Sequence, residues 1–241
     1  MNTTRSLSAI ILAGGSSSRM GRDKALITLQ GVPLLRQICD VALHCTHEVY
    51  VVTPWPERYQ EILPEGCRVI QEVPMPGENQ NHGPLVGFAQ GLAQVETDWV
   101  LLLACDLPQL KVEVLQGWVA ELSKFPVLTQ RSAKYTAEER KEDGGSFGGL
   151  DTIERCYGEV GQGGATIALL PRNPKGWEPL CGFYRRQCLP MLTRFINQGG
   201  RSFQLWLAQH SVQELLVSDP EMFFNCNTPA DLESIGKISS R

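Results

Sequence analysis

Short apolar runs of strand length alternate with segments of helical periodicity through most of this chain. That alternation narrows the possible folds more than any other feature. The strand-like runs are "SAIILA", "EVYVVT", "RVIQE", "WVLLLAC", "ATIALL", "LCGFY" and "MFFNC". Between them, "PLLRQICDVALHC", "GPLVGFAQGLAQV", "VEVLQGWVAEL" and "CLPMLTRFINQ" read as helices. In the second of these, Leu85, Phe88, Ala89 and Leu92 recur at helical spacing. Pro33 fits the first helical position, where an N–H would go unused, and Gly199-Gly200 is a natural stop for the fourth helix. "NTPADLESIG" carries the signals of a last helix, with Thr228 as N-cap, Pro229 at the first position and Asp231 three residues after the cap. Strands alternating with helices predict an α/β fold, a doubly wound and mostly parallel sheet covered on both faces.

At 241 residues the chain has room for one large domain or two small ones. It shows no internal repeat and no dividing linker, which predicts a single domain over 1–241. One polar, glycine-rich insertion interrupts the rhythm at about 123–164, and the expectation there is a surface insertion. Within it Thr136 and Glu139 form a capping box for a short helix. Hydrophobic content of 42% and charged content of 20% fit a soluble globular protein. The longest purely apolar run, Trp99 to Cys105, is far short of the ~20 residues of a membrane span. No export leader is visible, so the expected location is the cytoplasm. The eight cysteines include no C-x-x-C pair, and Cys39, Cys105 and Cys188 sit inside apolar runs, as reduced buried thiols do. A net charge of −4 with no basic block argues against nucleic acid as a partner. Any polyanion must be met by a few local cations.

The stretch "AIILAGGSSSRMGRDK" is where such cations stand. An apolar strand runs into Gly14-Gly15, a turn that can present successive N–H groups to an anion. Arg19 and Lys24 follow, and "WVLLLACDLP" ends a second strand at Asp106. In an open parallel sheet, ligands bind beyond the carboxyl ends of the strands. If the two strands are neighbours, the turn and the carboxylate share one crevice, with the cations and the hard oxygen ligand that phosphates and Mg²⁺ require. The turn is not a P-loop, since Lys24 lies three residues after Gly21 and Ala25 stands where Ser or Thr would bind metal. It is not a dinucleotide fingerprint either, because G-x-G-x-x-G is absent there. Each residue alone has an ordinary explanation, such as a turn glycine, a solvated charge or a helix cap.

Taken together, the motifs resemble those of the molybdenum cofactor guanylyltransferases. "LAGGSSSRMGRDKAL" is similar to that family's L-A-G-G-x-S-x-R-M-G-x-D-K signature, "HGPLVGFAQGL" to its G-P-L-A-G segment and "LLLACDLP" to its strand ending in C-D-x-P. "WEPLCGFYRR", "GGRSFQLWL" and "FFNCNTPADL" resemble three further motifs, in the family's order from about Leu7 to Leu232. The resemblance implies a Rossmann-like nucleotide-binding half and transfer of GMP from GTP to the phosphate of molybdopterin or molybdenum-molybdopterin, releasing pyrophosphate. It implies that Leu12, Ala13, Gly14 and Gly15 cradle the nucleotide, that Arg19 and Lys24 hold the triphosphate, and that Asp106 binds Mg²⁺. It places Arg201, Asn225 and Asn227 near the acceptor and suggests apo-molybdoenzymes or their chaperones as further partners. The chain departs from the family at Glu72, where a nucleotide-contacting Asp is usual and whose one extra methylene could reach the same nucleotide group, in the longer loop "PMPGENQNHGPL", and in the insertion.

Two other classes stay open at this level. A cytidylyltransferase or another NTP transferase would share most of these motifs but tends to carry L-A-A-G. Lack of a methyl group at position 14 would admit a purine edge, which favours GTP. A non-catalytic nucleotide- or pterin-binding carrier would have less need of Lys24 and Asp106.

Overall fold

A strand that hydrogen-bonds to parallel neighbours on both sides is covered by helices on both faces, so its residues are apolar without alternation. The computed structural model, which describes residues 7–14, 23–75, 83–125, 165–217, 219–224, 226 and 231, has two such strands at its centre. The chain order is β1 (Leu7–Leu12), β2 (Thr28–Leu29), β3 (Val32–Pro33), α1 (Leu34–Leu43), β4 (Val49–Thr53), β5 (Cys67–Gln71), α2 (Pro84–Gln94), β6 (Trp99–Ala104) and α3 (Val112–Glu121). After the 126–164 gap in the description come β7 (Ala168–Asn173), β8 (Gly176–Trp177), β9 (Cys181–Arg185), α4 (Leu189–Asn197), α5 (Phe203–Leu207) and β10 (Val212–Leu215).

The main sheet runs β10-β7-β9-β6-β1-β4-β5, with β8 paired to β7. β1 is parallel to both β4 and β6, β4 to β5, and β7 to β10, while β9 runs antiparallel to β6 and β7. The sheet is therefore mostly parallel, as the alternation predicts. On β1, Leu7, Ala9 and Ile11 point to the face covered by Leu35, Ile38 and Cys39 of α1 and Leu115 and Trp118 of α3. Ile10 points to the other face, against Phe88 and Leu92 of α2, Leu192 of α4 and Trp206 of α5. A helix layer on each side is the doubly wound arrangement.

Three local readings need correction, and one strand went unread. Pro33 is not inside α1 but extended at its N-cap position, at φ −57° and ψ 141°. It leaves a β2–β3 hairpin whose turn takes Gln30 and Gly31 to positive φ, the geometry that tight two-residue hairpins demand. "MFFNC" is not a strand: Pro220–Phe223 is a 3-10 turn, because Asp219 accepts from the Glu221 N–H and Pro220 sits at its start. The "ATIALL" strand begins later, at Ala168, and runs on to Asn173. β10 carried no readable signal, since of its four residues Leu215 alone is fully buried. The short helix at Thr136 and all but Asp231 of the first turn expected after Thr228 lie outside the described residues. Phe125 and residues before it simply continue from α3 through the 3-10 turn Leu122–Lys124.

The seven described cysteines are free thiols, five of them fully buried. No helix among the described residues is long and apolar enough to cross a membrane.

Helix α2 packs so closely on the sheet that Gly91 has no room for a side chain. A Cβ there would lie 2.8 Å from Val52 Cγ2 and 3.1 Å from Ile10 Cδ1. Gly91→Ala is expected to destabilise the protein by roughly 1–3 kcal/mol through overpacking, against its helix-propensity gain. Gly117 of α3 faces open space, so Gly117→Ala should stabilise by roughly 0.5–1 kcal/mol. Urea unfolding of the two variants measures both signs.

Candidate active site

β1 and β6 pair in register from Leu7 with Trp99 to Leu12 with Ala104. Two residues beyond each strand end stand Gly14 and Asp106, so the turn and the carboxylate emerge level from neighbouring strands. The Ala13 N–H still donates to Val52 O at 2.9 Å, which extends the end of β1 toward β4. Asp106 is tied down on its other side by the Cys226 N–H, which donates to the Asp106 carbonyl at 3.2 Å. The chain near its C-terminus therefore closes on this turn.

Lys24 reaches the same place from a short 3-10 turn, Lys24–Leu26. Its Nζ lies 3.4 Å from Asp106 Oδ2, and the two side chains are 20% and 22% exposed. That distance exceeds the about 2.7–2.9 Å of a strong charge-assisted bond, so the pair is loose enough to admit a charged ligand. Asp23, just before it, anchors the turn. Its Oδ1 accepts from the Ala25 N–H at 3.1 Å, and its Oδ2 accepts from the Tyr59 hydroxyl at 2.7 Å with Arg58 Nη1 at 3.7 Å. Burial and then the Asp23 bond push the Tyr59 hydroxyl well above the usual tyrosine range, so it remains a donor. Ala25 is buried in the core on the next step of the chain. Lys24 thus projects from a turn fixed on both sides of it.

Glu72 follows β5 and continues the sheet, its N–H donating to Thr53 O at 2.8 Å. Its carboxylate lies between two glycines. A Cβ on Gly14 would come within 3.5 Å of Glu72 Oε2, and one on Gly87 of α2 within 3.2 Å. Burial raises the pKa of Glu72 above the ordinary carboxylate value. No described residue hydrogen-bonds the carboxylate. The missing methyl at position 14 has a cause other than purine access: a Cβ there would meet Pro54 Cδ at 2.5 Å, so the Pro54 ring already fills that space.

Of the residues picked from the sequence, Leu12, Ala13, Gly14, Lys24, Glu72 and Asp106 gather along the carboxyl ends of β1, β5 and β6. Arg201 follows the end of α4, where its Nη1 donates to Ile196 O at 2.7 Å and Gly200 O at 2.9 Å. Gly15, Arg19, Asn225 and Asn227 lie outside the described residues. Burial, helped by the Asp106 and Asp23 charges, pushes the Cys105 thiol up to about 12, away from the thiolate form that a nucleophile needs. Sequence reasoning missed three participants. Tyr59 carries no local signal, and Pro54 shows its role only through its contact with Gly14. Glu178 precedes a proline and β9 and lines a cavity with Asp106; its signal was a carboxylate in "WEPL", quoted as a motif but given no role.

The model of the MobA-like NTP transferase domain matches residues 9–213. A protein of Nostoc sp. named as a probable molybdenum cofactor guanylyltransferase is 52% identical over 229 residues, 95% of this chain and 90% of that one. A molybdenum cofactor guanylyltransferase of Vibrio vulnificus is 27% identical over 96% of this chain and 95% of its own. Among solved structures, the molybdopterin-guanine dinucleotide biosynthesis protein A of Archaeoglobus fulgidus superposes with a TM-score of 0.65 at 20% identity, covering 97% of this chain and 98% of its own. The 4-diphosphocytidyl-2C-methyl-D-erythritol synthase of Anaerococcus prevotii has a TM-score of 0.62 at 11% identity over the whole of both chains, a likeness of fold alone. The level ends of β1 and β6, the lysine and aspartate that meet there, and these relatives agree: the chain belongs to the MobA-like NTP transferases, as a nucleotidyltransferase of the molybdenum cofactor guanylyltransferase group.

Proposed function

We propose that this chain, acting as a single nucleotidyltransferase domain in the cytoplasm, transfers GMP from GTP to the terminal phosphate of molybdopterin or its molybdenum complex. The observation that carries this reading is the 3.4 Å approach of Lys24 to Asp106 at the carboxyl ends of two adjacent parallel strands. An acceptor phosphate oxygen forms a bond to the α-phosphorus while the bond from that phosphorus to the bridging oxygen breaks, and pyrophosphate leaves with the electron pair. The protein need supply little covalent chemistry. Its work is alignment and neutralisation of charge that shifts toward the leaving group.

Lys24 and Arg19 hold the triphosphate, and the backbone of Leu12, Ala13, Gly14 and Gly15 supports the nucleoside end. Glu72 fits the guanine, whose N1–H and 2-amino group both donate. A half-buried carboxylate lacking its own donors is left to accept them. Arg201, Asn225 and Asn227 serve the acceptor side. Asp106 is a hard, partly exposed oxygen ligand, and among the described residues no group of three or more His, Cys, Asp or Glu side chains could hold a metal by itself, which fits a magnesium ion that would draw other ligands from phosphate oxygens and water. When bound, magnesium supplies charge neutralisation on the phosphates. Apo-molybdoenzymes or their chaperones are the partners that would take the product.

Incubation with Mg²⁺, molybdopterin and each of the four NTPs in turn is expected to give pyrophosphate and dinucleotide with GTP. A preference for CTP would reassign the base, and tight binding without turnover would favour a carrier. Asp106→Ala and Lys24→Ala are each expected to lower kcat by roughly 10²–10³, the scale of one lost charge-stabilising group. Circular dichroism should show both variants folded, and near-normal turnover in either would remove its assigned role.

Glu72→Gln separates function from stability. The folded-state pKa of Glu72 is raised, so wild-type stability relative to the variant is greatest below the ordinary carboxylate pKa. It is lost as pH rises through the raised value. At neutral pH the variant should therefore melt at or above the wild-type temperature, and the advantage should vanish as pH falls toward about 4. The KM for GTP should meanwhile rise about tenfold or more, because a bidentate acceptor is gone. Thermal melts across pH and steady-state kinetics measure the two effects.

A further inference from the structure

The reaction joins two ring systems that present the same edge. Guanine and a pterin each carry a 2-amino-4-oxopyrimidine ring, in which a ring N–H and an amino N–H lie side by side as donors. A carboxylate, with two oxygens and about four lone-pair sites, is the side chain that accepts both. Glu72 stands on one flank of the Lys24–Asp106 pair. Across the sheet, the opposite flank offers a second half-buried carboxylate, Glu178.

Glu178 owes its position to β9, which runs against both of its neighbours in the main sheet. β7 turns back through β8, with Asn173 opposite Gly176, and the chain then enters β9, which is antiparallel to β6. The segment Glu178–Leu180 therefore arrives at the edge where the parallel strands end. Leu180 O accepts from the Ala104 N–H at 2.9 Å, two residues before Asp106. Between them lies a cavity of about 160 Å³, walled by Asp106 and Leu107 on one side and by Glu178, Pro179 and Leu180 on the other. That is well below the roughly 300–1,000 Å³ of a pocket that swallows a whole drug-sized ligand. One flat ring system fits it better than a nucleotide does.

The Glu178 carboxylate is oriented before any ligand arrives. Asn173 Nδ2 donates to its Oε1, and Oε2 has no donor among the described residues. Glu178 is also fixed through its backbone, its N–H donating to Pro171 O at 2.9 Å. Burial raises its pKa, with Asn173 and Lys175 acting in the opposite direction. From β5, which precedes Glu72, to β9, which follows Glu178, there are four strand spacings, roughly 20 Å in all. Lys24 and Asp106 lie within that span, beyond β1 and β6. A dinucleotide with a donor edge at each end and its phosphates in the middle matches that layout.

We infer that Glu178 reads the 2-amino-4-oxopyrimidine edge of the pterin acceptor, so that the two halves of the product are recognised by two carboxylates on opposite flanks of one phosphate site. The inference rests on the pterin acceptor given under Proposed function. Molybdopterin guanylylation by Glu178→Gln and Glu178→Asp, each confirmed folded by circular dichroism, tests it. In Glu178→Gln the KM for molybdopterin should rise roughly ten- to a hundredfold, the scale of a lost charged hydrogen bond, while the KM for GTP is unchanged. Glu178→Asp should recover part of that loss. In the wild type, a 6-substituted pterin should compete with molybdopterin better than the matching lumazine, whose 2-oxo group replaces the amino donor, and Glu178→Gln should erase that preference. An unchanged molybdopterin KM, a rise confined to the GTP KM, or equal inhibition of the wild type by pterin and lumazine would each overturn the assignment. If the wild type itself transfers no GMP to molybdopterin, the acceptor reading fails and takes this inference with it, an outcome visible without any variant.

Discussion

The parallel pairing of β1 with β6 is the constraint on which the site depends. Both strands are buried on both faces, and their register leaves Gly14 and Asp106 at the same level beyond their ends. Parallel strands place all their carboxyl ends on one edge, and helices α1, α2 and α3 hold that geometry by packing on the two faces. The site then needs only short excursions from this edge. Lys24 comes from a single 3-10 turn, Glu72 from one residue past β5, and Asp106 from two residues past β6. Short, anchored excursions keep charged groups in place for phosphates whose reaction depends on alignment.

Electrostatically the edge is built from opposites that meet loosely. Lys24 and Asp106 are partly exposed and 3.4 Å apart, whereas Asp23 is held tightly by Tyr59 at 2.7 Å and by the turn N–H. Adjacent acids thus do different work. Asp23 is satisfied and structural, and it steadies the residue beside it. Glu72 and Glu178 form a third kind, carboxylates that burial has made costly to ionise. Groups kept in that condition without full compensation are candidates to accept a ligand's donors, the role proposed above for both.

Much of this was legible in the chain. The uniform apolar character of "AIIL" and "WVLLLA" announced central parallel strands, and the alternation of patterns announced layers on both faces. Asp106 was legible because it follows directly on its strand, and Lys24 because it stands in the motif-rich stretch that leads on from β1. What stayed hidden depended on the third dimension. The reversal of β9 is set by the Asn173–Gly176 turn, where Asn173 Oδ1 accepts from the Lys175 N–H, and a four-residue signal does not reveal which sheet position the next strand takes. β10 is too exposed for its pattern to register. The need for glycine at 14 lies in Pro54, forty residues on, and Tyr59 supports the lysine turn from an equally remote position. In "MFFNC", apolar character suggested a strand, while the Asp219-Pro220 cap decided for a turn.

A crystal structure with Mg²⁺ and a non-hydrolysable GTP analogue tests the central claim most directly. The account predicts the phosphates lying beyond the ends of β1 and β6, with Lys24 Nζ on a phosphate oxygen, Asp106 on the metal and the guanine on the Glu72 flank. A nucleotide bound away from that edge, or one bound there with the Lys24–Asp106 pair still closed, would contradict it.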